Sequence, residues 1–453
     1  MRSGQATRTS PPSIHERCLR NARRPAVSLS REVLLRIFDL GLRMALDDDT
    51  ADDFLLSISA VCHEWRKRAI AAPHLWRFIV FLQSPNGVSS LERIANYLSR
   101  SGMVELDVVI HVVGTQSRPL AFFMQMVTPH LFRCQALSIT LVNTSGASPV
   151  LPIDGYMPLL RDLSITLHDT QPARTSVALR LFGPQLQCTP VNVHIEASNE
   201  CAVDISGLHV GRLRKISLLL PGLRREHLSH ILSHSQNLRS LTLRDVDDAD
   251  RTFTHSSSIL AANLRSLALE DCALPLNVVR ASHLHRLSLG LHGGLRDYSY
   301  LFPFMTPFAA LQHLSIGIIL DIPGIPALVA AFVRNNSTLR SLQLVAEPSA
   351  TQILLLLASN PRTMPRNLNL IRLVRMTWVD DQAEHQGGPS ELQDNMYDLA
   401  QVLLGLLAVR PALCLHWYQD TERAAQPPQI LTLSRQMPGR LLFRDGFPDS
   451  DEE

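Results

Sequence analysis

The apolar positions of this chain follow two different rhythms. Near the start they recur at helical spacing: Val33, Leu34, Ile37, Leu40 and Met44 predict an amphipathic helix with one greasy face. Ser30 stands where an N-cap belongs, Glu32 falls in the first turn against the helix dipole, and Leu29 is placed to staple onto Leu34. An acidic stretch, Asp47 to Asp53, separates this helix from a second apolar one, Phe54 to Val61. A third is expected around Trp65 to Ala71. Pro73 closes the module, and Leu75 and Trp76 follow as further apolar anchors. Three short helices bury too little surface to stand alone, so a partner or the following domain must finish their apolar faces.

From residue 130 onward the rhythm changes to LxxLxL. The pattern stands as Leu160, Leu163, Ile165; Leu213, Ile216, Leu218; Leu238, Leu241, Leu243; Leu264, Leu267, Leu269; Leu284, Leu287, Leu289; Leu311, Leu314, Ile316; and Leu339, Leu342, Leu344. First-leucine spacings from Leu213 to Leu339 are 25, 26, 20, 27 and 28 residues, in or close to the range of leucine-rich repeats. A degenerate copy near Leu186, with Val191, Val193 and Ile195, fills the double gap after Leu160. The expected fold class is α/β: a leucine-rich repeat solenoid, a horseshoe with one short strand per repeat inside and helices outside, behind a small all-α module.

Less regular segments extend the pattern. Glu105 to His111 alternates like a strand, as do Leu137, Ile139 and Leu141; Leu368, Leu370 and Leu373 suggest another, Leu403 to Leu407 a helix, and Leu413 to Trp417 an extended segment. The asparagine that usually bridges neighbouring repeats is mostly missing, and Cys272, three residues after Leu269, takes its place in one repeat with a structural role. The organisation expected is a disordered basic tail (1–27), the helical module (28–80), a connecting segment with a first irregular repeat (81–130), the solenoid (131–437) with a polar insert at 378–393, and a solvated acidic tail (438–453). At ordinary domain sizes 453 residues would mean about three domains; the repeat resolves them into one elongated body behind the module.

Alternation along each strand assigns the open face. With the leucines inward, Ser164, Ser217, Thr242, Ala268, Ser288, Ser315 and Gln343 share one central column. The flanking columns carry Asp162, Lys215, Arg286 and His313 on one side, and Thr166, Arg244 and Glu270 on the other. Asp162, Lys215, Arg244, Glu270, Arg286 and His313 are the candidate substrate-binding set; small residues equally suit a crowded concave face.

The front module resembles the F-box-like domain, whose usual pattern is Leu-Pro-x-Glu-Ile/Val-Leu, then Ile-Phe, Val-Cys-x-x-Trp-Arg and Pro-x-Leu-Trp. The matching residues are Leu29, Glu32, Val33, Leu34, Ile37, Phe38, Val61, Cys62, Trp65, Arg66, Pro73, Leu75 and Trp76. Ser30 departs from the family's Pro, though both open helices, and the stretch between the first two helices looks longer and more acidic than usual. The resemblance implies docking to a Skp-type adaptor through Leu29, Val33, Leu34, Ile37 and Phe38, with Val61, Cys62, Trp65, Leu75 and Trp76 as the F-box core. It also implies that the chain is the non-catalytic substrate receptor of an SCF-type cullin-RING ubiquitin ligase, holding an unknown protein target on its repeats. The alternative is a leucine-rich repeat interaction scaffold with no ligase link, its module packed on its own solenoid so that no apolar face of residues 28 to 80 is exposed.

Composition narrows the rest. Lys and Arg total 43 against 41 acids, without the bias of a protein that coats nucleic acid or an anionic membrane. Apolar runs such as Ile353 to Ala358 are far shorter than a membrane span. Residues 1 to 27 are Arg-rich without a signal-like apolar core; a transit peptide is the other reading of such a segment. Seven dispersed cysteines with no CxxC argue against a disulfide framework or a thiolate zinc site and for a reducing compartment, cytosol or nucleus. His227, His230 and His234 with Glu226 are read as a solvated helix face instead of a metal site, and His292, Gly293 and Gly294 as a loop, since no GxSxG accompanies them. His63 and Glu64 do not continue into HExxH, and there is no phosphate-binding glycine loop. No cofactor is expected.

Overall fold

The computed structural model describes residues 29–47, 50–85, 87–114, 117–142, 156–168, 179–180, 187–188, 190–197, 203–204, 209–220, 223, 225–245, 259–272, 279–291, 308–318, 324–345, 349–360, 363–375, 401–419, 437 and 439–445. The basic tail, the polar insert, the turn at His292 and most of the acidic tail lie outside them. The chain is mixed α/β and divides into two compact units, the first covering Met1–Pro149 with Asp154–Asp162 and Gln185–Cys188, the second most of the remainder.

The first unit opens with three helices, α1 (Arg31–Asp47), α2 (Ala51–Val61) and α3 (His63–Ile70), and a 3-10 turn, Pro73–Trp76. Ser30 caps α1 as its sequence suggests, its Oγ accepting from the Val33 N–H at 3.3 Å. Among the described residues of the acidic stretch, α1 runs through Asp47 and α2 takes up Ala51 to Asp53. Gly41 explains how the first two helices approach, because a Cβ there would run into the Phe54 ring. Trp76 is buried beneath the module and its indole N–H donates to the Ala69 carbonyl at 2.8 Å.

Strands begin well before residue 131. β1 (Phe78–Ser84) pairs antiparallel with β2 (Gly87–Val88) and parallel with β3 (Leu106–Val113), which pairs parallel with β4 (Cys134–Val142). α4 (Leu91–Arg100) and α5 (Ser117–Val127) lie between successive strands. Arg133, almost wholly buried, reaches back to join these connections, donating to the carbonyls of Val104 (2.7 Å) and Leu98 (3.3 Å) and to Ser101 Oγ (3.1 Å).

The second unit is built on a large open parallel sheet. Its strands follow one another in chain order: β5 (Asp162–His168), β6 (Asn192–Ala197), β7 (Lys215–Leu219), β8 (Ser240–Arg244), β9 (Ser266–Glu270), β10 (Arg286–Leu291), β11 (His313–Ile318), β12 (Ser341–Val345), β13 (Leu370–Arg375), β14 (Cys414–Gln419) and β15 (Leu441–Asp445). The pairing holds one register, so Ile216, Leu241, Leu267, Leu287, Leu314, Leu342, Ile371 and Leu415 form a continuous buried row. A sheet buried on one face in this way fixes its register strongly, since a one-residue slip would expose the whole row.

Three sequence expectations need correction. In β13 the core positions are Leu368, Ile371 and Leu373, and Leu370 lies on the other face, because the LxxLxL frame is kept with isoleucine in the middle. Residues Leu441–Asp445, expected in a solvated tail, form the last strand. The connections are not uniformly helical: α6 (Arg225–His234), α7 (Ile325–Asn335), α8 (Ser349–Ala358) and a helix over 401–409 alternate with two-residue strands that pair among themselves, such as Ile259–Leu260 with Val279–Arg280.

The chain leaves several strands in the same way. Gly114, Asp245 and Asp271 each follow a strand with positive φ, and each donates its N–H to the next strand. Cys272 follows, buried, with its Sγ 3.2 Å from the Leu243 carbonyl of the neighbouring repeat, the structural role read from its position. Bridging asparagines do exist, but one residue before the first leucine of the motif: Asn237, Asn263 and Asn367 donate side-chain N–H groups to the carbonyls of Gly211, Gln236 and Ser337 in the preceding repeat.

Candidate functional site

Two surfaces carry the residues singled out by sequence. The first is α1. At about 100° per residue, Leu34, Phe38, Leu42 and Ala45 share one side of this helix, and Val33, Ile37, Leu40 and Met44 share another within an arc of about 60°. The first group is buried; Phe38 is 0% exposed and its ring meets Trp65 edge to face at 5.1 Å. The second group is open to solvent, with exposures of 47%, 43%, 48% and 69%. The single greasy face expected from the spacing is therefore two faces, one filled and one unfilled.

This sorts the adaptor candidates. Val33 and Ile37 stand on the open stripe, and Leu40 and Met44 extend it. Leu34 and Phe38 are buried in the module, on the side of α1 that α2 and α3 cover. Leu29 is half-buried, and its carbonyl accepts from the Arg68 guanidinium at 2.9 Å, tying the entry of α1 to α3. Among the core candidates, Leu75 and Trp76 are fully buried and Trp65 partly so. Cys62 serves as the N-cap of α3, its Sγ accepting from the Trp65 N–H at 3.4 Å. Val61 is exposed at 54% instead of buried; three residues past Ile58 it turns about 60° away from the covered arc.

The second surface is the polar face of the second unit's sheet. Register sets the central column from β7 to β12: Ser217, Thr242, Ala268, Ser288, Ser315 and Gln343 stand directly opposite one another. Beside them Lys215, Ser240, Ser266, Arg286 and His313 form a second column, so Arg286 and His313 are direct neighbours and Lys215 stands three strands from Arg286. Arg244 and Glu270 are also opposite and join in an ion pair, which leaves little net charge at that point. Asp162 belongs to the first unit, and there its charge helps push the Asp107 carboxyl above the ordinary range.

The columns run further than the sequence reading took them. His194 precedes Ser217, and Arg372 and His416 follow Gln343 in the central column. At β13 Ile371 takes the inward position opposite Leu342, which turns Arg372 outward opposite Gln343.

Among the described residues, no group of three His, Cys, Asp or Glu side chains is placed to hold a metal. His230 and His234 stack at 4.3 Å, with His234 Nδ1 2.9 Å from the His230 carbonyl, while His227's side chain lies outside the described residues. Burial pushes the Cys134 thiol up to about 12 and the Cys188 thiol to about 11, the opposite of what a thiolate nucleophile requires. No described helix is long and apolar enough to cross a membrane. No protein-family model matches the chain, and no curated protein matches it.

Proposed function

We propose that the chain is the substrate-recognition subunit of an SCF-type ubiquitin ligase, with an F-box-like module that docks a Skp-type adaptor and a leucine-rich repeat solenoid whose polar sheet face holds a protein target. The observation that carries the reading is the open apolar stripe Val33, Ile37, Leu40 and Met44, on a helix whose opposite side is already packed. A helix needs one apolar side to fold into its own domain; a second, uncovered one is what a partner helix or groove would occupy. The module's resemblance to F-box-like domains names that partner. The single-register column of small hydroxyl and amide groups supports the second half of the reading, since it lets another chain approach closely. On this model the protein acts by proximity, bringing a target to a ubiquitin-loaded enzyme elsewhere in the complex, and contributes no catalytic group.

The scaffold alternative expects residues 28 to 80 to show no exposed apolar face, and the stripe weighs against it. The test is co-purification of the full chain with a Skp-type adaptor. Ile37→Asp and Met44→Asp, both at open positions, are expected to abolish it while leaving the fold intact. An adaptor that never co-purifies, or that binds these variants as well as the parent, would overturn the reading.

A further inference from the structure

This sequence holds two lysines, Lys67 and Lys215, and apart from histidine every other basic side chain is arginine. The two amines fall one in each unit. A lysine amine can be acylated, whereas an arginine guanidinium stays charged and does not act as an acceptor. The side chains of this sequence therefore offer two amines to any enzyme that joins a carboxyl group to lysine. Lys215 opens β7 on the polar face. Ile216 beside it is buried, so alternation along the strand carries the Lys215 side chain outward, where it is exposed. Lys215 stands opposite Asn192 on one neighbouring strand and Ser240 on the other, and its backbone N–H donates to the Val191 carbonyl at 3.2 Å. A fixed backbone and a flexible four-carbon stem thus present one amine from the sheet face. Lys67 is exposed too, but it stands on α3 between Arg66, which donates to the Ser59 carbonyl at 2.7 Å, and Arg68, which donates to Glu64 at 2.8 Å.

We propose that Lys215 is the modification site at which the ligase joins ubiquitin to its own receptor. This rests on the proposed function, and it adds a regulatory site to the face read there as target-binding. The ubiquitin-loaded enzyme is brought to whatever that face holds, so an amine rooted in the face shares the high effective concentration of a bound target's lysine. Lys67 belongs to the docking module, away from the delivery point, and is spared. In the step itself, the Lys215 Nζ first gives its extra proton to solvent. It then attacks the carbonyl of the thioester that joins ubiquitin's C-terminal glycine to the enzyme's cysteine. An amide C–N bond forms, the C–S bond breaks, and the cysteine leaves as a thiol with the second proton. The other cations at outward register positions of the face, Arg244, Arg286 and Arg372 among them, cannot substitute, because none carries an amine.

The test is ubiquitin transfer by the full chain assembled with the adaptor, cullin and RING subunits and no target, read by mass spectrometry of the ubiquitin remnant on lysine. The remnant is expected on Lys215 and not on Lys67. Lys215→Arg should abolish the modification and Lys67→Arg should leave it unchanged. Adding Ser240→Lys to Lys215→Arg moves the amine one strand step, about 4.8 Å, and should restore it; this rescue separates loss of the acceptor from loss of fold. Adding Arg280→Lys instead, at an exposed position on the small pairing with Ile259–Leu260, should not restore it. A remnant on Lys67 in comparable amount, modification that persists in the Lys215→Arg chain, or rescue by Arg280→Lys as strong as by Ser240→Lys would overturn the proposal. Adaptor co-purification measured on the same proteins keeps the two readings apart. A chain that takes the adaptor and leaves Lys215 unmodified sinks this inference and leaves the ligase role standing, whereas a chain that never takes the adaptor sinks both.

Discussion

Ile37 and Phe38 are adjacent in sequence and should respond to truncation in opposite ways. Phe38 is 0% exposed and packs edge to face on Trp65, so Phe38→Ala empties a site that three elements surround. Substitutions of this kind cost about 3–5 kcal/mol, a range that includes the aromatic pair's share of about 0.5–1.5 kcal/mol. Ile37 is 43% exposed. Ile37→Ser therefore forfeits only the buried part of a side chain whose full burial stabilises by about 1.5–3 kcal/mol, so about 1 kcal/mol is expected. Hydrogen exchange read on peptides from residues 31–47, with β8 to β12 as an internal standard, measures both effects at the helix concerned. A loss of 4 kcal/mol accelerates exchange through module opening by about a thousandfold, and 1 kcal/mol by about fivefold. Equal acceleration by the two variants would refute the two-sided description of α1, and with it the argument that the outer side is kept for a partner.

Gly41→Ala should destabilise the module despite alanine's better helix propensity of about 1 kcal/mol, because the new methyl meets the Phe54 ring; a raised melting temperature would contradict this packing. Asn336, buried, accepts from the Phe308 N–H at 2.9 Å and donates to the Phe332 carbonyl at 2.8 Å. Asn336→Ala strands both groups and should cost about 2–4 kcal/mol in urea titrations, against under about 1 kcal/mol for the exposed Asn263→Ala. Cys134 and Cys188, with thiols pushed up to about 12 and about 11, should resist alkylation by iodoacetamide at pH 8 in the native chain and react only on unfolding. Desolvation, with the charges of Asp162 and Glu105, raises the Asp107 carboxyl above its ordinary range despite Arg77. Its protonated form is thus favoured by folding, and stability is lost as pH climbs from the unfolded value through the raised one. Asp107→Asn should stabilise at pH 7 and have little effect at pH 3; the reverse order would show that Arg77 dominates.

The strand ladder was legible because its determinant is repeated: a buried row needs an apolar residue at every second position of every strand, and leucine or isoleucine stands at nearly all of them. The motif triplet failed at β13 for the same reason, since Leu370 is as apolar as Ile371 and only pairing with β12 decides between them. The connections were less legible. Whether a repeat turns through a helix or a two-residue strand depends on the space left by its neighbours, which a single repeat's sequence does not encode. The bridging asparagines were overlooked because they occupy a different offset from the expected one, yet the recurring Asn-Leu pair at Asn237, Asn263 and Asn367 was visible in the text of the chain.

The two surfaces differ in how sequence reveals them. On α1 the information was complete: projecting Val33, Ile37, Leu40 and Met44 around the helix separates them from Leu34, Phe38, Leu42 and Ala45 without any structure. What the sequence lacks is which arc the module covers, because either could pack on α2, and burial of Leu34 and Phe38 decides it. On the sheet the order is reversed. Each strand taken alone shows which side chains point outward, but charge becomes a pattern only when strands are set in register. Arg286 and His313 are 27 residues apart in sequence, and Arg372 and His416 are 44 apart, yet each pair is one strand step apart in space. A surface pattern assembled from residues so distant in sequence gives no local motif, so on this sheet it has to be read across the strands, and a one-residue error in any strand removes its residue from the pattern.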